Sequence, residues 1–175
     1  LSSDYDSTDK ATQMFFAETQ NKLLYAVTGQ TAAEIIVNRA DASEPNMALT
    51  SWKGNVVRKQ DIFTAKNYLL KDEIDTLNRL TVLFLDTAEL RVKERKDLNL
   101  HYWRETVDGL LNFQGKLVLQ GAGSVSAKQM EAHVEAVYEQ FNAKRKALAL
   151  ADADEEDQQM ILADTDLLAL QDSLQ

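Results

Sequence analysis

The chain has 175 residues, a formal net charge of −9 and no cysteine. This length suffices for one well-buried domain, and the missing cysteine excludes disulfides and thiolate metal sites. The negative charge is concentrated at the end, because residues 150–175 carry eight acidic and no basic side chains, so the first 149 residues sum to −1. A nearly neutral body lacks the basic excess that is typical of a nonspecific nucleic-acid binder.

Helix is favoured throughout, since the chain has one proline and six glycines. A first helix is predicted over residues 8–27. Gly29 supplies the left-handed residue that ends a helix, and Thr31 followed by Glu34 has the spacing of a capping box. These signals predict that a second, largely apolar and buried helix spans residues 32–40.

The periodicity disappears over residues 41–60, where Pro45 and Gly54 accumulate with asparagines. A short hairpin around residues 48–57 is one possible reading of this connection. Asp61 is predicted to begin a further helix that reaches Tyr68.

The second half of the chain shows longer apolar stripes. They predict helices over residues 72–95 and 101–113, with Gly115 ending the latter. Ser126 and Gln129 form a second capping-box pattern that starts the last long helix. We expect an all-α fold of six or seven helices, divided into a domain at residues 1–149 and an acidic amphipathic helix or tail at residues 150–175.

Several stretches resemble a known family. The longest contains Thr28-Gly29-Gln30-Thr31-Ala32-Ala33-Glu34 within residues 20–36, and others lie at residues 39–50, 65–69, 73–80 and 84–89. The chain resembles the RhuM family, named for a virulence-associated bacterial protein and associated with pathogenicity islands. Members resemble two-part proteins with an N-terminal winged-helix DNA-binding region and a helical C-terminal half. The resemblance covers the helical half, to about Phe141, so we expect DNA contact only through a module absent from this chain.

The same stretches contain many polar groups that core packing does not require. A helix start at Thr31 offers free amides, and lysine or arginine nearby would complete an anion or phosphate pocket. The alternative is structural: Thr31 and Glu34 cap a helix, and Arg39 pairs locally with Asp41. The candidate ligand-binding residues are Asn21, Lys22, Thr28, Thr31, Glu34, Arg39, Asp41, Lys53, Lys66 and Asn67.

No pattern in the chain identifies catalytic residues. His101 lies four residues before Glu105, which is weak evidence for a metal site. His133 lies two residues after Glu131 and fails the spacing of a di-iron motif. Nucleotide-binding glycine loops and nucleophile elbows are missing from the sequence. We therefore predict no metal and no cofactor, and the sequence leaves enzymatic activity open.

The leading hypothesis is a protein-interaction or self-association domain whose partner is a second copy or another protein. A signal-peptide pattern and a long apolar run are both missing, so we expect a cytoplasmic location without membrane contact. The alternative is an enzyme or effector domain that binds a phosphorylated or nucleic-acid ligand. Its pocket would combine the helix start at Thr31 with Arg39, Lys53 and Lys66.

Overall fold

A computed structural model describes residues 8–94 and 99–172, and this part of the chain is helical. It contains five α-helices, α1 Lys10–Thr28, α2 Ala32–Arg39, α3 Lys71–Lys93, α4 Leu100–Phe113 and α5 Ala127–Asp172. Three short 3₁₀ helices join α2 to α3, at Pro45–Ala48, Asp61–Phe63 and Ala65–Tyr68. The predicted all-α class is confirmed. The expected number of six or seven helices was too high for the described ranges, which hold five α-helices.

Two predicted elements differ because of local backbone geometry. The helix expected over residues 61–68 is split at Thr64, whose extended backbone (φ −104°, ψ 107°) separates two 3₁₀ turns. The hairpin expected at residues 48–57 is wrong, since these residues form no strand. The amides of Thr50 and Ser51 instead donate to the Asn67 carbonyl at 2.7 and 3.3 Å.

The last described element is α5. An acidic amphipathic helix or tail was predicted over residues 150–175, and over the described part of that range α5 continues from Ala127 to Asp172 without a break for 46 residues. The reason is compositional, because the sequence between Ala127 and Asp172 has no glycine or proline to interrupt a helix.

Helices α1, α3 and α4 pack together at one end of the molecule. Phe15, Leu100 and Trp103 form a small buried cluster there, with the Phe84 ring 4.8 Å from that of Trp103. A second cluster lies further along α1, formed by Ala26, Leu80, Val107 and Leu111. Trp103 and Val107 are buried on one face of α4.

The main core lies between α2, the 3₁₀ segments and the first half of α5. Ile35 and Ile36 are at most 1% exposed, which confirms the prediction that α2 is a buried helix. Met47 is fully buried although its backbone is left-handed (φ 60°), as are those of its neighbours Asn46 and Ala48. The core therefore holds this 3₁₀ turn in a conformation that residues other than glycine rarely adopt.

Helix α5 packs against the body only along about its first third. Val134 is completely buried, and Met130, Val137 and Phe141 pack beside it against the main core. Beyond Phe141 the helix leaves the body, and Leu148 and Leu150 are 66% and 68% exposed. At 1.5 Å per residue the whole helix is about 70 Å long. Over the residues described, we find no helix with the length and apolar content needed to cross a membrane.

Candidate functional site

The start of α2 is a complete capping box. The Glu34 amide donates to the Thr31 hydroxyl at 3.4 Å, and the Thr31 amide donates to Glu34 Oε2 at 2.8 Å. Gly29, with φ of 72°, ends α1 just before it, and its amide donates to the Tyr25 carbonyl. Both predictions from the local sequence are confirmed. Thr31 is 1% exposed, so this helix start is part of the packed structure.

Glu34 also binds a segment that lies far away in sequence. Its Oε1 accepts hydrogen bonds from the Ser124 amide at 2.7 Å and the Ser124 hydroxyl at 2.6 Å. These two donors, followed by the Thr31 amide, lower the pKa of Glu34 from 4.5 to about 2. One carboxylate therefore joins the start of α2 to the loop between α4 and α5, and it is ionised at neutral pH.

Gly123 allows this loop to approach α2. A Cβ at this position would lie 2.6 Å from Thr31 Cγ2 and 3.2 Å from Glu34 Oε1. The backbone is also left-handed here, with φ of 84°. Only glycine meets both conditions without a shift of its neighbours. The candidate residues chosen from the sequence included Glu34 but neither Gly123 nor Ser124.

Three amides at the start of α2, those of Thr31, Ala32 and Glu34, are already bound within the chain. Asn21 Oδ1 accepts from the Ala32 amide at 2.9 Å, and Thr31 and Glu34 satisfy each other. A ligand anion at this helix end would meet the negative charge of Glu34. The geometry near Thr31 is therefore that of a structural junction.

Arg39 lies at the other end of α2 and binds Glu73. Its two terminal nitrogens donate to Glu73 Oε2 and Oε1 at 2.6 and 2.7 Å, and one of them also donates to the Tyr68 carbonyl at 2.8 Å. The Arg39 guanidinium holds the pKa of Glu73 below its ordinary value. The local pairing of Arg39 with Asp41 is wrong, since Asp41 accepts from the Ser43 amide and hydroxyl at 2.7 and 2.6 Å.

The remaining candidate residues lie in separate places. Lys22 donates to Asp108 at 2.5 Å and borders a groove of about 610 Å³ between α1, α4 and residues 119–122. Lys66 borders a second groove of about 560 Å³ between α1, α3 and the 3₁₀ segment. Lys53 is exposed in the irregular connection. The Asn67 amide group donates to the Asp61 carbonyl at 2.8 Å, which stabilises that connection.

The ten candidate residues thus do not form one pocket. Asn21, Thr31 and Glu34 meet at the start of α2. The Thr28 hydroxyl, a few residues earlier, donates to the Leu24 carbonyl and accepts from the Gln30 amide. Arg39, Asp41, Lys53, Lys66 and Asn67 are distributed over other elements.

The family comparison covers most of the chain. The sequence model of the virulence protein RhuM family matches residues 1–149. The chain belongs to this family. No curated protein and no solved structure matches it.

The RhuM family match includes α1 to α4 and the first half of α5. Both ends of the Glu34–Ser124 contact lie inside it, as does the Arg39–Glu73 pair. RhuM family membership associates this chain with virulence.

The pair His101 and Glu105, considered from the sequence for a metal site, lies on the surface of α4. No group of three histidine, aspartate or glutamate side chains in the described parts of the chain is placed to bind a metal ion. His101 lies 3.5 Å from Glu105, and both side chains are more than two-thirds exposed. This pair has the geometry of a surface contact between neighbouring turns of α4.

Proposed function

We propose that this RhuM family chain is a self-association domain, in which two copies bind each other through α5. The proposal rests on one observation: α5 continues for about two-thirds of its length beyond the body. Isolated helices are marginally stable in water, and most helices in proteins are stabilised by packing of an apolar face. A second copy would supply that packing.

The exposed surface of α5 supports this proposal. Leu150 is about two-thirds exposed and lies on the face of α5 opposite the residues that pack against the body. Ala143 and Ala153 share this face and would allow another helix to approach closely. Symmetric dimers are the commonest closed assembly, so a second copy is the simplest partner. DNA binding, in this proposal, belongs to a separate module, and the cysteine-free chain works in the cytoplasm.

Light scattering across a hundredfold dilution tests the proposal directly. We expect twice the chain mass of 19.7 kDa, with dissociation towards the monomer at the lowest concentrations. A variant that ends after residue 157 should dissociate at higher concentration than the full chain. A strict monomer at every concentration would overturn the proposal.

The second candidate function is ligand binding in the groove beside Lys66. Leu23, Leu24, Phe63 and Leu77 give this groove apolar walls, and Lys66 places one positive charge at its edge. The groove would suit a ligand with an apolar part and one anionic group. The pocket expected from the sequence, which would combine the helix start at Thr31 with Arg39, Lys53 and Lys66, has less support. The Arg39 side chain binds Glu73 at the other end of α2.

Calorimetric titration with an alkyl phosphate tests this second candidate. Binding by the wild type and its loss in Lys66→Ala would support a ligand site. A matched control is Lys53→Ala, which removes an exposed lysine outside the groove. Heat signals that are equal in all three proteins would exclude the groove.

A further inference from the structure

We infer that the two copies pair antiparallel along α5, with the two-fold axis close to residues 151 and 152. This inference rests on the proposed self-association and adds its orientation and register. The contact surface is the α5 seam, which we define as Ala143, Lys146, Leu150 and Ala153. Leu150 of each copy would pack against Ala153 of the other.

The α5 seam lies on one face of the helix. Its residues follow one another at intervals of three, four and three, which is the spacing of an interhelical contact. All four are exposed, and Leu150 is the largest apolar side chain among them. The seam thus combines one large apolar residue with two small ones that allow close approach.

The body packs against the opposite face of α5. At 100° per residue, Val134, Val137 and Phe141 lie on the side of the helix away from Leu150. Towards the body the seam continues through Glu139 and Ala136, which are exposed. A second helix can therefore run along α5 between Ala136 and Ala153 on the side that the body leaves open.

The distribution of charge selects the antiparallel orientation. Residues 144–146 are Lys-Arg-Lys, and acidic residues occupy positions 152 and 154–157. A parallel pair would place each basic run beside the same basic run and each acidic run beside its copy. With the axis at residues 151 and 152, an antiparallel pair places Lys146 of one copy beside the end of the acidic run 154–157 of the other, twice by symmetry.

The length of α5 agrees with this register. The helix extends from Ala127 to Asp172, so its midpoint lies at residues 149 and 150. An antiparallel pair centred near that midpoint overlaps along almost the entire helix. A register far from it would leave a helical end unpaired in each copy.

Cysteine cross-linking tests the orientation, because the natural chain has no cysteine. Ala143→Cys and Met160→Cys occupy positions that face each other in the proposed pair. Under mild oxidation a mixture of these two variants should form a mixed disulfide dimer. Ala143→Cys alone should not, since its two copies would lie about 25 Å apart along the helix.

A matched pair on the other face of α5 provides the control. Positions 148 and 155 lie at equal distances on either side of the two-fold axis, as positions 143 and 160 do, but they point away from the seam. A mixture of Leu148→Cys and Glu155→Cys should therefore remain reduced. Leu150→Glu should raise the dimer dissociation constant at least tenfold by burying a charge at the axis.

The outcomes separate this inference from the proposed function. A dimer in which Ala143→Cys links to itself would establish parallel pairing and overturn the inference alone. A dimer without any cross-link at the seam would also overturn it and leave self-association to another surface. A monomeric wild type would overturn both.

Discussion

Glu34 and Glu73 occupy equivalent positions near the starts of α2 and α3, yet they bind different partners. Each accepts the amide three residues earlier, from Thr31 and Leu70 at 2.8 Å. Glu34 then accepts two neutral donors from Ser124, whereas Glu73 accepts the Arg39 guanidinium. A hydrogen bond from a backbone amide requires the two backbone segments to lie close together. A long arginine side chain can bind a carboxylate on a segment that lies further away. We therefore expect the Glu34 junction to tolerate change less than the Glu73 pair.

The largest effect should come from Gly123→Ala. The added Cβ would collide with Thr31, which is buried, and we expect the free energy of unfolding to fall by about 3 kcal/mol. Gly121→Ala is the matched control, because its backbone is equally left-handed (φ 92°) but nothing lies within 4 Å of its Cβ. It should cost about 1 kcal/mol. Equal losses in urea denaturation would show that Gly123 does not set the approach to α2.

Glu34→Ala should rank second, with a loss of about 2 kcal/mol from hydrogen bonds to a charged acceptor. Glu34→Gln keeps one acceptor oxygen and should lose about half as much. The effects of Glu34→Ala and Ser124→Ala should not be additive, because both changes remove the hydrogen bond between Glu34 and the Ser124 hydroxyl. Additive losses in a double-mutant cycle would separate Ser124 from the junction.

Arg39→Ala should lower stability by about 1 kcal/mol, because the pair is partly exposed and the released Glu73 can be hydrated. Arg79→Ala is the control, since Arg79 binds Asp75 in a largely exposed pair on α3. Its effect should stay below about 0.5 kcal/mol. Raising the salt concentration to about 1 M should reduce the Arg39 effect and leave the Glu34→Gln effect unchanged. If salt reduced the Glu34→Gln effect and left the Arg39→Ala effect unchanged, the proposed difference between the two glutamates would be wrong.

The smallest effect concerns pH. Because the folded-state pKa of Glu34 lies at about 2, below its ordinary value of 4.5, its stabilisation is complete above pH 4.5 and is lost as the pH falls from 4.5 towards 2. The stability difference between wild type and Glu34→Gln should therefore shrink between neutral pH and about pH 3. Urea denaturation at several pH values measures this difference. A stability difference that grows as the pH falls would contradict the lowered pKa of Glu34.

The sequence predicted the contacts between neighbouring residues at the helix ends. The capping boxes at Thr31 and Ser126, and the helix end at Gly29, depend on residues within four positions of each other, and all three are confirmed. The Ser124 partner of Glu34 lies 90 positions away, and a pattern of neighbouring residues carries no information on such a contact. The only sequence signal near this contact was the pair of glycines, Gly121 and Gly123, followed by Ser124.

Arg39 illustrates the same limit in another way. Asp41 is close in sequence and opposite in charge, so a local pair was the simplest expectation. The fold brings Glu73 closer, since the 3₁₀ segments return the chain from the end of α2 to the start of α3. Likewise, the acidic composition beyond residue 150 suggested a separate element, whereas backbone continuity depends on helix breakers that the sequence does not contain.

The length of α5 also makes it a spacer. In the proposed antiparallel pair the two Val134 residues, which mark the bodies, would lie about 50 Å apart, at 1.5 Å per residue. Two rigid helices side by side resist bending and shortening, so this separation would be nearly fixed. Anything attached to the bodies would then be presented at a constant distance, and insertion or deletion of one helical turn would change that distance and rotate one body relative to the other.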